Sequence, residues 1–164
     1  MHALRKVKVI LSADGSHTLF VPDLDETYHS INGAVVESEY VYIQNGLEKT
    51  ESPAVLNILE VGFGTGLNAL LTAIKAQKPL KHIRYHTLEP YPISCEIYCK
   101  LNYPVGEFAK RVFSKIHDCE WEEEVKISSG FHLKKVKEKL ESTTLKSNYY
   151  DLVYYDAFAP SKQP

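Results

Sequence analysis

The stretch LEVGFGTGLNAL, residues 59–70, constrains the fold of this chain more than any other. It places Gly62, Gly64 and Gly66 between a short apolar run and an apolar segment with helical spacing. Glycine lacks a Cβ atom, so the backbone turns tightly there and a ligand can approach it closely. A helix that follows such a loop presents free N–H groups and the positive end of its dipole. The stretch therefore predicts a strand, a ligand-binding loop and a helix.

Segments typical of strands and of helices alternate along the chain after residue 54. Short apolar runs predict four strands, at residues 55–61, 82–89, 124–129 and 149–156. Helical spacing or composition predicts helices at residues 67–77, 92–100, 108–117 and 133–142. This alternation favours right-handed βαβ crossovers and a parallel sheet. The predicted fold class is α/β, with a Rossmann-like sheet.

The N-terminal part of the chain has a different pattern. Alternating apolar residues on either side of Asp14-Gly15 predict a β-hairpin over residues 7–21. Residues 34–47 have apolar residues near helical spacing, with Gly46 as a stop signal. We therefore expect two units, a hairpin-plus-helix extension over residues 1–52 and a ligand-binding α/β domain over residues 53–164.

Composition narrows the class of protein. The chain has 164 residues, of which 44% are hydrophobic and 24% charged, as in a soluble globular domain. Its formal net charge of -2 provides no global basic field, so contact with nucleic acid would need a local patch. The three cysteines lack a metal-binding spacing and favour reduced thiols over a disulfide or a zinc site. Without an apolar run that spans a bilayer, we expect a cytoplasmic protein that binds neither membrane nor metal.

Two acids indicate which ligand the loop holds. The glycines follow the spacing G-x-G-x-G, whereas the dinucleotide fingerprint is G-x-G-x-x-G, and position 67 is Leu. Glu60 precedes the first glycine by two residues and matches an ammonium group better than a pyrophosphate, as at the amino-acid end of S-adenosylmethionine. Glu89 closes the second strand, where a carboxylate can accept hydrogen bonds from ribose hydroxyls. Glu89 alone does not distinguish NAD from S-adenosylmethionine.

Together these residues resemble the class I S-adenosylmethionine-dependent methyltransferases. More closely, the chain resembles the methyltransferase domain of the bifunctional enzyme that completes 5-methylaminomethyl-2-thiouridine at the wobble position of tRNA. The resemblance is carried by LEVGFGTGLNAL, by the segment DGSHTLFVPDLDETYHSINGAVVESEYVYIQNGL and by the closing DAFAPSKQP. The glycine motif is shared with many methyltransferases, whereas the two other segments are more specific to this family.

The resemblance implies S-adenosylmethionine as the cofactor and methylation of the aminomethyl group of uridine 34. It implies the anticodon loop of tRNA as substrate, and a separate FAD-dependent oxidoreductase in the same pathway. Asp156 would lie beside the transferred methyl group and the incoming amine. The implied cofactor-binding residues are the loop residues Glu60, Gly62, Gly64 and Gly66, the ribose acid Glu89, and the N-terminal residues Tyr28 and Glu37.

The chain departs from the family pattern at two places. After the predicted third strand, Phe131 and His132 stand where many class I enzymes have an acid near the adenine, which leaves the adenine contact open. Gln163 stands where the family usually has Asn. The lysines of the predicted helix at 133–142, with Lys110 and Arg111, favour a solvated face over contact with tRNA phosphates.

Two other functions stay open. An aminopropyltransferase of the spermidine synthase type has the same fold, a glycine loop and an acid after the fourth strand. A non-catalytic module that binds RNA or a protein is the other alternative. Because a class I sheet has seven strands and four are legible, we expect this chain to be a fragment that carries the cofactor half, truncated after the fourth strand.

Overall fold

The computed structural model describes residues 6–51, 54–77 and 82–159. The N-terminal segment forms an antiparallel sheet of three strands, β1 (Lys8–Leu11), β2 (His17–Val21) and β3 (Glu26–Thr27). The turn between β1 and β2 contains Asp14 and Gly15, which confirms the predicted hairpin. The short strand β3 was not predicted, because two residues carry no readable alternation.

A helix follows the small sheet, and its geometry changes along its length. It begins as the α-helix α1 (Ala34–Ser38) and continues as a π-helix over Glu39–Leu47. The predicted helix over 34–47 is therefore present, with the wider turn of a π-helix in its second part. π-Helical turns are rare and are frequently found at functional sites, so the side chains of this segment are candidates for a functional role.

Side chains from the hairpin cap the start of α1. Asp14 accepts a hydrogen bond from the N–H of Val36 at 3.0 Å, and the hydroxyl oxygens of Ser12 and Ser16 accept from Ala34 and Val35. Unpaired N–H groups at a helix start otherwise need water or a cap residue next to them in sequence. The sequence DGS thus makes a turn and caps a helix about twenty residues away.

The main sheet has five strands in the described part of the chain, in the order β6-β7-β5-β4-β8. The strands β4 (Val55–Val61), β5 (His82–Leu88), β7 (Phe131–Val136) and β8 (Leu152–Tyr155) run parallel to one another. The strand β6 (Glu124–Ser128) pairs antiparallel with β7. The α/β class and the parallel sheet agree with the prediction, whereas the predicted third strand over 124–129 is the antiparallel edge.

The prediction of a basic helix over 133–142 is wrong. This segment continues β7 to Val136 and then forms a single 3-10 turn at Leu140–Ser142. Leu133, Val136 and Leu140 have helical spacing, but Leu133 and Lys135 face the interior as residues of a strand. Lys135 is 1% exposed, and its ammonium group donates to the carbonyl of His117 at 2.7 Å. Local spacing was overridden by strand pairing on both sides.

The other helices lie close to their predicted positions. α2 (Leu67–Lys75) and α4 (Gly106–Asp118) match the predicted ranges, and α3 (Cys95–Tyr98) is shorter than predicted. Leu19 and Ile43 of the N-terminal segment belong to the same core as Leu56 of β4. The boundary predicted between residues 52 and 53 lies outside the described residues, and the core continues from one side of it to the other.

Candidate functional site

The carboxyl ends of β4, β5, β7 and β8 meet at one edge of the sheet, where a cavity of about 420 Å³ opens. Ligands of open α/β sheets bind at this edge. Gly62 and Gly64 after β4, Glu89 after β5 and Asp156 after β8 all line the cavity, and Tyr28 reaches it from the N-terminal segment. Five residues predicted to meet a ligand are thus brought together.

The loop after β4 is held in place from two sides. The N–H groups of Gly62 and Phe63 donate to the carbonyl of Leu88, at 3.0 and 3.2 Å. The carboxylate of Glu89 accepts hydrogen bonds from the N–H of Gly64 at 2.9 Å and from the N–H of Tyr91 at 2.8 Å. A carboxylate has about four lone-pair sites, so Glu89 can fix the loop and still accept a ligand hydroxyl.

Gly62 must be a glycine for two independent reasons. Its φ angle is +95°, a region that residues with a Cβ atom rarely adopt. A Cβ atom at this position would lie 2.7 Å from the carbonyl oxygen of Asp156. The loop after β4 and the end of β8 therefore lie too close together for a side chain at position 62.

Asp156 is partly buried at the end of β8, and both of its carboxylate oxygens are engaged. The hydroxyl of Tyr42 donates to Oδ1 at 2.8 Å, and the amide nitrogen of Asn68 donates to Oδ2 at 2.8 Å. Burial raises the pKa of Asp156 to about 6, although these two hydrogen bonds act in the opposite direction. At neutral pH the group is an ionised carboxylate that binds a proton more readily than an ordinary aspartate.

Three predicted residues lie outside the cavity lining. Glu60 is 0% exposed beneath the loop and accepts a hydrogen bond from the hydroxyl of Thr87 at 2.6 Å. Burial, with a further contribution from the charge of Asp156, raises the pKa of Glu60 to about 8. Gly66 is the cap of α2, and Glu37 accepts from the N–H of Ser30 at 2.7 Å. In this structure Glu60, Gly66 and Glu37 do not line the cavity, so their contact with a ligand stays a prediction.

Contrary to the expectation from the sequence, Phe131 and His132 do not occupy the place of an acid near the adenine, because they do not follow a parallel strand. Both residues are at the start of β7, and Phe131 pairs in register with Ile83 near the start of β5. They therefore lie at the opposite edge of the sheet from the cavity. The segment that follows β7 on the cavity side contains Glu138 and Glu141, and both line the cavity. The error follows directly from taking β6 for the third parallel strand.

Charge in the cavity is mostly negative. Four of its lining residues are acidic and one is a lysine: Glu89, Glu138, Glu141, Asp156 and Lys139. His29 also lines the cavity and hydrogen-bonds the hydroxyl of Thr65 at 2.7 Å, and burial lowers the pKa of this histidine to about 4, so it is neutral at pH 7. Such a lining suits a ligand that carries a positive charge.

The sequence did not single out Tyr42, Asn68, His29 or Glu138 as functional. For Asn68 there was a signal, because it is a polar residue in the first turn of an otherwise apolar helix and is 2% exposed. Tyr42 and His29 gave none, because their partners are distant in sequence. Glu138 was hidden by the predicted helix.

Comparison with known proteins agrees with this architecture. The chain is 26% identical over 185 residues to the tRNA 5-methylaminomethyl-2-thiouridine biosynthesis bifunctional protein MnmC of Paraburkholderia phytofirmans, which covers 96% of this chain and 26% of that protein. It is 26% identical over 187 residues to MnmC of Haemophilus ducreyi, covering 100% of this chain and 27% of the relative. The crystal structure of MnmC2 from Aquifex aeolicus superposes with a TM-score of 0.74 at 25% identity, covering 97% of this chain and 52% of that one.

This chain is a relative of the MnmC proteins. The predicted resemblance is therefore confirmed, and so is the fold class. The chain spans about a quarter of the length of the MnmC relatives and about half of the solved MnmC2 chain. A third relative, MnmC of Idiomarina loihiensis, is 37% identical over 97 residues, which cover 52% of this chain and 16% of the relative. No family model matches the chain.

A second cavity, of about 460 Å³, adjoins the first. It lies between the N-terminal sheet and the segment after β5, and Tyr28 lines both cavities. Its charged lining residues are Lys6 and Lys8, and Tyr91 adds a second aromatic ring. The two neighbouring cavities therefore have opposite charge, one acidic and one basic.

None of the helices formed by residues 6–51, 54–77 and 82–159 has the length and apolar character that crossing a bilayer requires.

Proposed function

We propose that the chain is an S-adenosylmethionine-dependent methyltransferase that methylates the aminomethyl group of a modified uridine at position 34 of tRNA. The observation that carries the proposal is the meeting of Gly62, Glu89 and Asp156 in one cavity at the carboxyl edge of the sheet. The similarity to MnmC proteins, whose name refers to 5-methylaminomethyl-2-thiouridine in tRNA, supports the substrate.

The cavity fits the cofactor in volume and charge. Its 420 Å³ lies within the range of about 300–1,000 Å³ that small-molecule sites usually have. In this proposal Gly62 and Gly64 allow the cofactor to lie against the loop, Glu89 accepts from ribose hydroxyls, and Tyr28 covers it from the N-terminal side. Glu138 is the acid nearest in sequence to the end of β7 and is our candidate for the adenine contact, which the sequence had left open. When bound, S-adenosylmethionine supplies a methyl group on a positively charged sulfur.

The chain's contribution to the chemistry is alignment and proton transfer. An amine attacks only through a free lone pair, and an aminomethyl group at neutral pH is largely protonated. Asp156, ionised above its pKa of about 6, accepts this proton and keeps the nitrogen oriented by a hydrogen bond. A positioned base of this kind contributes about 10²–10⁴-fold to rate. Alignment of the two reactants contributes several kcal/mol more.

The basic second cavity supports RNA as the substrate. Lys6 and Lys8 suit phosphate groups, and the rings of Tyr28 and Tyr91 suit a stacked base. Because Tyr28 also lines the first cavity, a nucleotide bound in the second cavity would lie next to the uridine that enters the first. We propose that the anticodon loop of tRNA binds at this second cavity. We also propose that the protein acts in the cytoplasm. A separate FAD-dependent oxidoreductase that prepares the aminomethyl substrate is the proposed pathway partner.

The test combines ligand binding with turnover. Purified chain is titrated with S-adenosylhomocysteine in a calorimeter and then incubated with methyl-labelled cofactor and tRNA from cells that lack this modification. We expect binding, and label in uridine 34. Asp156→Asn should retain binding and lose at least 100-fold in rate. Absence of binding would contradict the proposal, and binding without turnover would favour a non-catalytic module.

An aminopropyltransferase is the second candidate, because the acidic cavity also suits a polyamine. Incubation with decarboxylated S-adenosylmethionine and putrescine distinguishes the two. Formation of spermidine in place of methylated tRNA would assign the chain to this second activity.

A further inference from the structure

We propose that Tyr42 and Asn68 are positioning residues, which together hold Asp156 in the orientation that meets the acceptor amine. The proposal rests on the proposed function, in which Asp156 is the proton acceptor. It assigns a role to the π-helix of the N-terminal segment, which thereby completes the reaction centre.

The geometry is a clamp on the two oxygens of one carboxylate. Tyr42 donates to Oδ1 and Asn68 to Oδ2, each at 2.8 Å, and the two donors come from different elements. The hydroxyl of Tyr42 also lies 3.2 Å from the carbonyl oxygen of Tyr155, the residue before Asp156. Two bonds on opposite oxygens fix the carboxylate plane, which a single bond would leave free to rotate.

Both donors are themselves fixed. The ring of Tyr42 packs against that of Tyr154, with the centroids 5.1 Å apart. Asn68 is 2% exposed, and its backbone carbonyl accepts from the hydroxyl of Thr72 at 2.7 Å, one turn further along α2. A flip of the Asn68 amide would place its oxygen against the carboxylate of Asp156, so only one amide orientation is favourable.

Burial and the neighbouring acids oppose ionisation of Asp156, and the clamp acts against them. Glu37 from α1 repels the ionised form, and a charge on Glu60 from β4 would do the same. Glu60 avoids this by keeping its proton at neutral pH, since its pKa is raised to about 8. Within the described residues, Tyr42 and Asn68 are the side chains whose hydrogen bonds stabilise ionised Asp156. The other ionisable groups coupled to Asp156 are the phenols of Tyr85 and Tyr103, which burial keeps neutral.

The clamp also leaves hydrogen-bonding sites on the Asp156 carboxylate for the substrate amine. A carboxylate offers about four lone-pair sites, and the two donors occupy one on each oxygen. The remaining sites are available on the cavity side, where Asp156 is a lining residue. Asp156 can therefore receive the amine proton without breaking the bonds that orient it.

The test uses variants that remove one donor at a time. Tyr42→Phe deletes only the hydroxyl, and Asn68→Ala deletes the amide. Tyr40→Phe is the matched control, because Tyr40 is on the same π-helix and is 61% exposed. The readouts are the titration of the Asp156 carboxyl carbon by ¹³C NMR, assigned with Asp156→Asn, and the pH profile of methyl transfer.

We expect Tyr42→Phe and Asn68→Ala each to move the titration midpoint of Asp156 upward by roughly one pH unit, because each removes a hydrogen bond to the ionised form. The acid limb of the kcat profile should move by the same amount. Above this limb kcat should fall about tenfold or more, with KM for the cofactor unchanged. Tyr40→Phe should change none of these.

Two results would overturn the inference. One is an unchanged titration in both variants, and the other is a shifted titration with kcat above the limb at the wild-type value. Failure of the proposed function is recognised separately, because a wild-type chain that binds no S-adenosylhomocysteine contradicts it. In that case the NMR titration still decides whether Tyr42 and Asn68 hold Asp156.

Discussion

At the residue scale, Glu60 shows how burial decides the role of an acid. Its position before the glycine loop suggested a charged ligand contact, yet it is fully buried and keeps a proton at neutral pH. Asp156, whose charge contributes to the raised pKa of Glu60, has a pKa of about 6 and is ionised at neutral pH. Environments that push two carboxyl pKa values apart assign the two groups different tasks. In the proposed function, Glu60 is a neutral residue beneath the loop and Asp156 is the charged residue that meets the acceptor.

We predict that Glu60→Gln raises the free energy of unfolding at neutral pH. Since the pKa of Glu60 is about 8 when folded and near 4.3 when unfolded, its contribution is full below about pH 4 and is lost as pH rises toward 8. The free energy of unfolding of the wild type should fall by at most about 1.4 kcal/mol per pH unit because of Glu60. The buried histidines titrate below about pH 6.5, so urea unfolding between pH 7 and 8 isolates Glu60. If the free energy of unfolding changed with pH in the same way in the wild type and in Glu60→Gln, the prediction would be contradicted.

Gly62 gives a second prediction at this scale. Gly62→Ala should destabilise the fold and weaken ligand binding, because its Cβ atom would collide with the backbone of Asp156. Gly106→Ala is the control, since Gly106 has a similar φ of +83° and no atom within 4 Å of its Cβ position. The control should cost only the backbone strain, about 1–2 kcal/mol. Equal losses in both variants, measured by urea unfolding, would show that the close approach is unimportant.

At the element scale, the start of α1 depends on a side chain from another element. Burial opposes ionisation of Asp14, but its hydrogen bonds with Ser16, Val36 and Ser12 outweigh this effect and lower its pKa. We predict that Asp14→Ala lowers the free energy of unfolding by about 1 kcal/mol, the usual value of a helix cap. Asp23→Ala, in the exposed turn after β2, should have little effect.

The pH dependence follows the same sign. A lowered pKa means that ionised Asp14 stabilises the fold above about pH 4 and that this contribution is lost as the pH falls further. The difference between wild type and Asp14→Ala should therefore shrink in acid. A difference that stays constant from pH 7 to pH 2.5, measured by thermal unfolding, would mean that the carboxylate charge plays no part.

The elements differ in how far the sequence predicts them. β4, α2 and α4 were predicted correctly, because each buries a regular apolar face with its own period. β7 was not, because its interior position is occupied by Lys135, which is stabilised by the carbonyl of His117 and lies 4.8 Å from the ring centroid of Trp121. A charged residue in a strand core is readable only when its partners are known.

The same reasoning separates the site residues that the sequence predicts from those that it does not. Gly62, Glu89 and Asp156 follow strands, and strand ends are visible in a sequence. The clamp on Asp156 was not visible, because Tyr42 and Asn68 are 114 and 88 residues away from it. Contacts over such separations depend on sheet order, and the order β5-β4-β8 cannot be deduced from local pattern.

At the scale of the whole molecule, the cavity joins parts that are far apart in sequence. Tyr28 and His29 come from the N-terminal segment, and the other walls come from the main sheet. We predict that S-adenosylhomocysteine stabilises both parts together, by about 2.7 kcal/mol at a hundredfold excess over Kd. Hydrogen exchange should slow in β2 as well as in β8.

The control for this prediction is Glu89→Gln, which should weaken the binding of S-adenosylhomocysteine and so reduce the rise in Tm that the ligand causes. Protection confined to β4, β5 and β8, with no change in β2, would mean that the N-terminal segment does not take part in binding.

The hydrogen bond between Tyr42 and Asp156 has a consequence for how the sequence evolves. In the proposed clamp, the hydroxyl of Tyr42 orients a carboxylate at position 156, and that carboxylate loses one of its two donors without the tyrosine. The two positions should therefore be inherited as a pair. In relatives where position 156 has changed, position 42 should be free to vary, and an alignment of such sequences would show the two losses together.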